Sequence, residues 1–105
     1  MIKVKFFRSK NDALTGFEIS GHSGAGVRGN DIVCAAVSSA AYMAANTIID
    51  IMGIEAEADV SEGKMKISVS SEDAKKAKDT LLGLELHLKG LAEQYPNNVT
   101  ITTEV

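Results

Sequence analysis

Ile54-Glu55-Ala56-Glu57-Ala58-Asp59-Val60-Ser61-Glu62-Gly63-Lys64-Met65-Lys66-Ile67-Ser68-Val69 is the stretch on which the architecture turns. Ile54, Ala56, Ala58 and Val60 alternate with Glu55, Glu57 and Asp59. After a Glu62-Gly63 turn, Met65, Ile67 and Val69 alternate with Lys64, Lys66 and Ser68. Successive strand residues point to opposite faces, so this reads as a hairpin with one buried and one solvated face. Its acidic outer row is set to face a basic one, as cross-strand pairing favours. A sheet with one wet face takes its helices on the other, which predicts two layers.

The same logic extends outward. Ile2, Val4 and Phe6 alternate with Lys3, Lys5 and Phe7, and Phe17 and Ile19 share a face of a second strand over residues 14–20. Ser9-Lys10-Asn11-Asp12 supplies turn chemistry between them. Ala74, Ala77, Leu81, Leu84, Leu88, Leu91 and Tyr95 recur at spacings of three and four, a helical stripe with Ser71 as its N-cap and Pro96 as its stop. Leu82 and Leu86 widen that stripe into the core or toward a subunit interface. An alanine-rich segment from Ile32 to Met52, capped by Asp31 and ended by Gly53, predicts a helix apolar on nearly every side and therefore buried. Val99, Ile101 and Thr103 alternate as a last strand. The order is ββαββαβ, and the expectation is a single α+β domain over residues 1–105. It has two layers: a mostly antiparallel five-stranded sheet with two helices packed on one face.

Composition narrows the function. The chain has 105 residues, 45% hydrophobic and 24% charged, with a net charge of −3. No basic excess points to nucleic acid, so direct nucleic-acid contact is not expected; a basic polypeptide partner is compatible with this charge. A single cysteine excludes an intramolecular disulfide and, with two histidines, the common all-protein zinc sites. It suits a reducing, cytoplasmic compartment. Residues 1–8 alternate charge with apolar groups, unlike a signal peptide. Ser38, Ser39, Asn46, Thr47 and Asp50 make the long apolar segment a core helix rather than a bilayer span, so no membrane is expected. No cofactor or metal motif is present: the glycines between residues 21 and 29 lack the Gly-Lys-Ser/Thr ending of a phosphate loop. Arg28, His87 and Lys75, Lys76 and Lys78 read as solvated surface.

The chemistry concentrates in one place. His22 precedes Cys34 by twelve residues, with Gly21 immediately before it and Gly24, Gly26 and Gly29 in between. That density of glycine marks a loop that is mobile or that needs positive dihedrals and close backbone approach. With Asp31 as cap, Cys34 falls in the first helical turn, where unpaired amides favour a thiolate and can stabilise an oxyanion. A histidine in reach takes the thiol proton and returns it to a leaving group. The bland alternatives are a small buried cysteine and a hydrogen-bonded histidine. The helix-end position and the glycine-rich loop weigh against them. Asp31 is first a cap and second an orienter of His22; Ser38, one turn beyond Cys34, either bonds near the site or back to its own helix.

Gly21-His22, Gly29 and Asp31-Ile32-Val33-Cys34-Ala35-Ala36-Val37-Ser38 together resemble the signature of the Prp family, the ribosomal-processing cysteine proteases. The length and element order extend that resemblance over essentially the whole chain. It implies a cytoplasmic endopeptidase that removes the N-terminal extension of a bacterial large-subunit ribosomal protein precursor, cutting after an aromatic residue, and that forms a homodimer. It implies Cys34 as nucleophile and His22 as general base and acid. Asp31 and Ser38 match positions that assist, and Gly21, Gly24, Gly26 and Gly29 form a flexible substrate loop. The rival from another class is a non-catalytic ribosome-associated binding module in which Cys34 is merely packed.

Overall fold

The computed structural model describes the backbone of residues 1–21 and 28–105, and the side chains of 1–21 and 32–105. Strand β1 (Ile2–Arg8) turns into β2 (Leu14–Ser20), and helix α1 (Arg28–Asn46) continues through a π-helical turn (Thr47–Ile51). Strands β3 (Glu57–Ser61) and β4 (Lys64–Ser68) follow, then helix α2 (Ser71–Gln94) and strand β5 (Val99–Glu104). The strands make one sheet in the order β3-β4-β2-β1-β5, and only the β1–β5 pair is parallel. This is the expected ββαββαβ order and α+β class.

The inward rows of the sheet and the helix stripes meet in one core. Ile2, Val4 and Phe6 of β1, Phe17 and Ile19 of β2, and Met65 and Ile67 of β4 are buried with Val33, Val37 and Ala41 of α1 and Leu81, Leu84 and Leu88 of α2. Phe6 and Phe17 face each other across β1 and β2, with ring centroids 6.3 Å apart at 49°. The outward row stays wet, with the Lys66 ammonium 5.3 Å from the Phe7 ring centre. Between β1 and β2, Asp12 takes a positive φ of 64° and the Ser9 carbonyl accepts from its amide at 2.9 Å, the turn that Ser9-Lys10-Asn11-Asp12 predicted.

Several local expectations are corrected. Helix α1 begins at Arg28, so Asp31 lies inside it and is not its N-cap, and Gly29 belongs to the helix backbone rather than to the loop. Gly29 and Asn30 are weak helix formers, but their cost, at most about 1 kcal/mol each, is one that tertiary packing routinely overrides. Nor is α1 buried all round: Ile32, Met43 and Ile51 are 63%, 65% and 81% exposed. The sheet and α2 cover one side of α1, and a two-layer fold holds no third layer for the other. The segment Ile32–Ile51 is long and apolar enough to cross a bilayer, yet it sends Val33, Val37, Ala41, Ala44, Ala45 and Ile48 into the protein core. Gly53, at φ 68°, ends the helix as expected, with the Ile54 amide donating to the Ile48 carbonyl at 3.0 Å. The cap of α2 is Ser70, whose hydroxyl oxygen accepts from the Asp73 amide at 3.1 Å, and Ser71 is the first helical residue. Strand β3 starts at Glu57, and its inward residues Ala58 and Val60 are exposed because the helical layer stops short of that edge. In its register with β4 Asp59 is the one acidic residue opposite a lysine, Lys66; Glu57 faces Ser68.

One buried ion pair ties α2 to the end of β1. The Arg8 guanidinium donates to both carboxylate oxygens of Glu85, at 3.0 and 3.2 Å, and the Glu85 side chain is only 8% exposed. Removing Arg8 leaves the desolvated Glu85 carboxylate with the longer 3.8 Å contact to the half-exposed Lys89 ammonium. Arg8→Met is therefore expected to cost about 3 kcal/mol in denaturant unfolding, and the double change Arg8→Met with Glu85→Leu to recover at least half of that loss. A double variant no more stable than the single one would contradict this account of the pair.

Candidate active site

Strand β2 leads directly into the region of interest. Gly21 follows its last residue with φ 84°, and a Cβ there would stand 2.3 Å from the Met1 carbonyl oxygen. Any side chain at this position meets both a left-handed backbone and a carbonyl, so glycine is required where the chain turns off the sheet toward His22. His22, Gly24 and Gly26 lie outside the described residues.

On the helix side, Cys34 sits six residues after Arg28, in the second turn of α1 and about 9 Å along the axis from its start. The expected first-turn placement is thereby corrected. The free amides of a helix start belong to its first turn, and the terminal charge falls off over the same distance. Cys34 is half-buried, packed against the hydrophobic core, and carries no disulfide. Residues three and four apart share a helix face. Asp31, Cys34 and Ser38 thus occupy one stripe of α1, which continues to Tyr42.

Its Ser38 and Tyr42 positions face the end of the sheet where β2 finishes. Ser38, Ala41 and Tyr42 of α1 join Ile19 of β2, Val60 and Ser61 of β3, Gly63 of the turn, and Lys64 and Met65 of β4 around a cavity of about 170 Å³. Ile19 lies two residues before Gly21. The structure therefore brings the end of β2 and the Ser38 turn of α1 to one cavity, with Cys34 the next stripe position toward the helix start. Tyr42 and Val60 were missed from sequence. Tyr42 carried a signal in being eight residues, two turns, beyond Cys34. Val60 carried none, because its alternation predicted burial. Among the described residues no cluster of His, Cys, Asp or Glu is placed to hold a metal ion.

Comparison with known proteins converges on one family. The family model for cysteine protease Prp matches residues 1–100. The ribosomal processing cysteine protease Prp of Bacillus subtilis (strain 168) is 28% identical over 111 residues, covering 100% of this chain and 99% of that protein. A Streptococcus mutans protein of known structure is 33% identical, superposes with a TM-score of 0.82, and covers 99% of this chain and 96% of its own. The ribosomal processing protease Prp of S. aureus, crystallised with a substrate peptide, has the same fold at a TM-score of 0.89 and 23% identity, covering 99% and 100% of the two chains. With the match running along nearly the whole sequence, the chain belongs to the cysteine protease Prp family.

Proposed function

We propose that this chain removes the N-terminal extension of a large-subunit ribosomal protein precursor, with Cys34 as nucleophile and His22 as general base and acid. One observation carries the assignment: a cysteine protease needs a cysteine, the family match spans residues 1–100, and Cys34 is the one cysteine in the sequence. His22 takes the thiol proton, and the Cys34 sulfur attacks the scissile carbonyl carbon to form a tetrahedral oxyanion. The imidazolium then protonates the leaving amine, freeing the mature protein's N-terminus and leaving the extension as a thioester on Cys34. A water activated by His22 hydrolyses that thioester and regenerates the thiol. Cys34 lies beyond the helix's terminal turn, so its activation falls to the base His22. Asp31 and Ser38 assist, one helical turn on either side of Cys34. The test is intact-mass analysis of the precursor incubated with reduced wild-type protein. Loss of a short N-terminal peptide is expected. An unchanged precursor in the presence of folded enzyme would move the reading to the ribosome-associated binding module.

We also read the chain as a cytoplasmic homodimer that touches neither nucleic acid nor membrane. Support comes from the uncovered apolar side of the helical layer. Met43 of α1 lines a groove between the helices with Ala36, Ala40, Gly83 and His87, and Ile32 and Ile51 on the α1 side and Leu86 of α2 (75% exposed) are further uncovered apolar side chains. Exposed apolar surface of this kind marks an interaction site, and a two-fold arrangement lets one face cover its own copy. Light scattering is expected to give twice the chain mass for wild type and the monomer mass for Met43→Glu with Leu86→Glu. A monomeric wild type would refute the reading.

A further inference from the structure

The groove between α1 and α2 carries a charge pattern with a symmetry of its own. Asp79, Gly83 and His87 of α2 line it at spacings of four, so they share one side of the helix. Asp79 and His87 each stand about 6 Å along the axis from the glycine, one before it and one after. Both are exposed, and neither makes an ion pair or a side-chain hydrogen bond among the described residues. About 12 Å apart, they are out of each other's reach within one chain. They are the only ionisable groups lining the groove, since α1 contributes Ala, Ser, Thr and Met alone. On α2 itself Lys75 and Lys76 lie one turn before Asp79, with Lys76 3.8 Å from Asp73, whereas the positions one turn either side of His87 are Gly83, Leu84, Gly90 and Leu91. Gly83 is bare: nothing stands within 4 Å of where a Cβ would be.

We propose that two copies of this chain meet with Gly83 on the two-fold axis, Asp79 of each α2 pairing with the partner's His87. The side chains at the contact set how closely two helices approach, and glycine sets the least distance. Where α2 packs antiparallel on its own copy about Gly83, the residue four positions after the glycine comes level with the one four positions before it in the other chain. His87 therefore stands level with the partner's Asp79, and Asp79 with the partner's His87, the reciprocal match that a two-fold contact requires. Opposite charges in the two rows select this register over one that sets Asp79 against the partner's Asp79. The contact is charge-assisted when the imidazole is protonated, so the dimer tightens as pH falls. The inference rests on the homodimer reading, and its test separates the two.

Sedimentation equilibrium at pH 6 is run on wild type, on Asp79→Lys and His87→Glu singly, and on the two variants mixed in equal amounts. Each variant alone sets like charges against each other at both contacts and is expected to dimerise at least about tenfold more weakly than wild type. In the mixture, one chain of each kind restores opposite charges at both contacts. Heterodimer, identified by native mass, is expected with a Kd within about threefold of the wild-type value. Wild type is also expected to dimerise about threefold more tightly at pH 6 than at pH 8, and Asp79→Asn to lose that dependence. Circular dichroism checks that the variants, both at exposed helix positions, are folded. A dimeric wild type whose variants dimerise as it does, or whose mixture associates no more tightly than either variant alone, overturns the register and leaves the dimer standing. A monomeric wild type overturns both.

Discussion

Cys34→Ala is expected to lower kcat/KM for precursor cleavage by at least about 10⁴-fold, the scale seen when a nucleophile that works as a unit with its base is removed. No other cysteine is available to substitute for it. Its half-buried position on α1 allows the smaller alanine with a modest packing loss, so the melting temperature should move by only a few degrees, on the order of 1 kcal/mol. His22→Ala is expected to cost about 10²–10⁴-fold, the range of general acid–base catalysis. Combining it with Cys34→Ala should add almost nothing, because groups that act as one unit are not additive. Additive losses would mean that the two residues act separately. A Cys34→Ala protein that turned over within tenfold of wild type would remove Cys34 from the chemistry.

The second large effect is on stability and lies far from the chemistry. Gly16→Ala is expected to destabilise the fold by about 3 kcal/mol, lowering the melting temperature by at least about 10 °C. A Cβ at Gly16 would stand 2.1 Å from the Ile67 carbonyl oxygen and 2.9 Å from the Ser68 Cα, both backbone atoms of the neighbouring strand. Gly16 pairs with Ser68 in the β2–β4 register, next to the buried Phe17–Ile67 pair. Relief of the clash therefore means parting two inner strands of the sheet. Against a total stability of about 5–15 kcal/mol, that is a large fraction. Gly90→Ala is the matched comparison: it lies in α2 with nothing within 4 Å of the added methyl, and should stabilise by up to about 1 kcal/mol. Equal effects at the two glycines, measured by denaturant unfolding, would contradict the steric argument.

These contrasts show what was readable in the residues. The alternation over 54–69 and the three-and-four stripe of α2 are local periodicities imposed by a buried face, and they led to the right order, class and layering. Gly16 left no local trace, because its requirement comes from a strand fifty residues away. The exposed inner face of β3 was equally silent: alternation reports which way Val60 points, but not whether the helical layer reaches it. At the helix start, residue type pointed to Asp31, yet the helix runs back to Arg28, since caps compete on energies of about 1 kcal/mol. For the site, Cys34 stood out by its uniqueness and its place near a glycine-rich loop. Tyr42 and Val60 became visible only when the sheet and α1 closed a cavity between them.

The most direct test of the account uses the single thiol. Methyl methanethiosulfonate converts Cys34 to a small methyl disulfide that a reductant reverses, and intact mass counts the fraction capped. Cleavage of the ribosomal protein precursor is expected to fall in proportion to that fraction, reach zero at one cap per chain, and return fully on reduction. A fully capped protein that still removes the extension would contradict the assignment of Cys34 as the nucleophile.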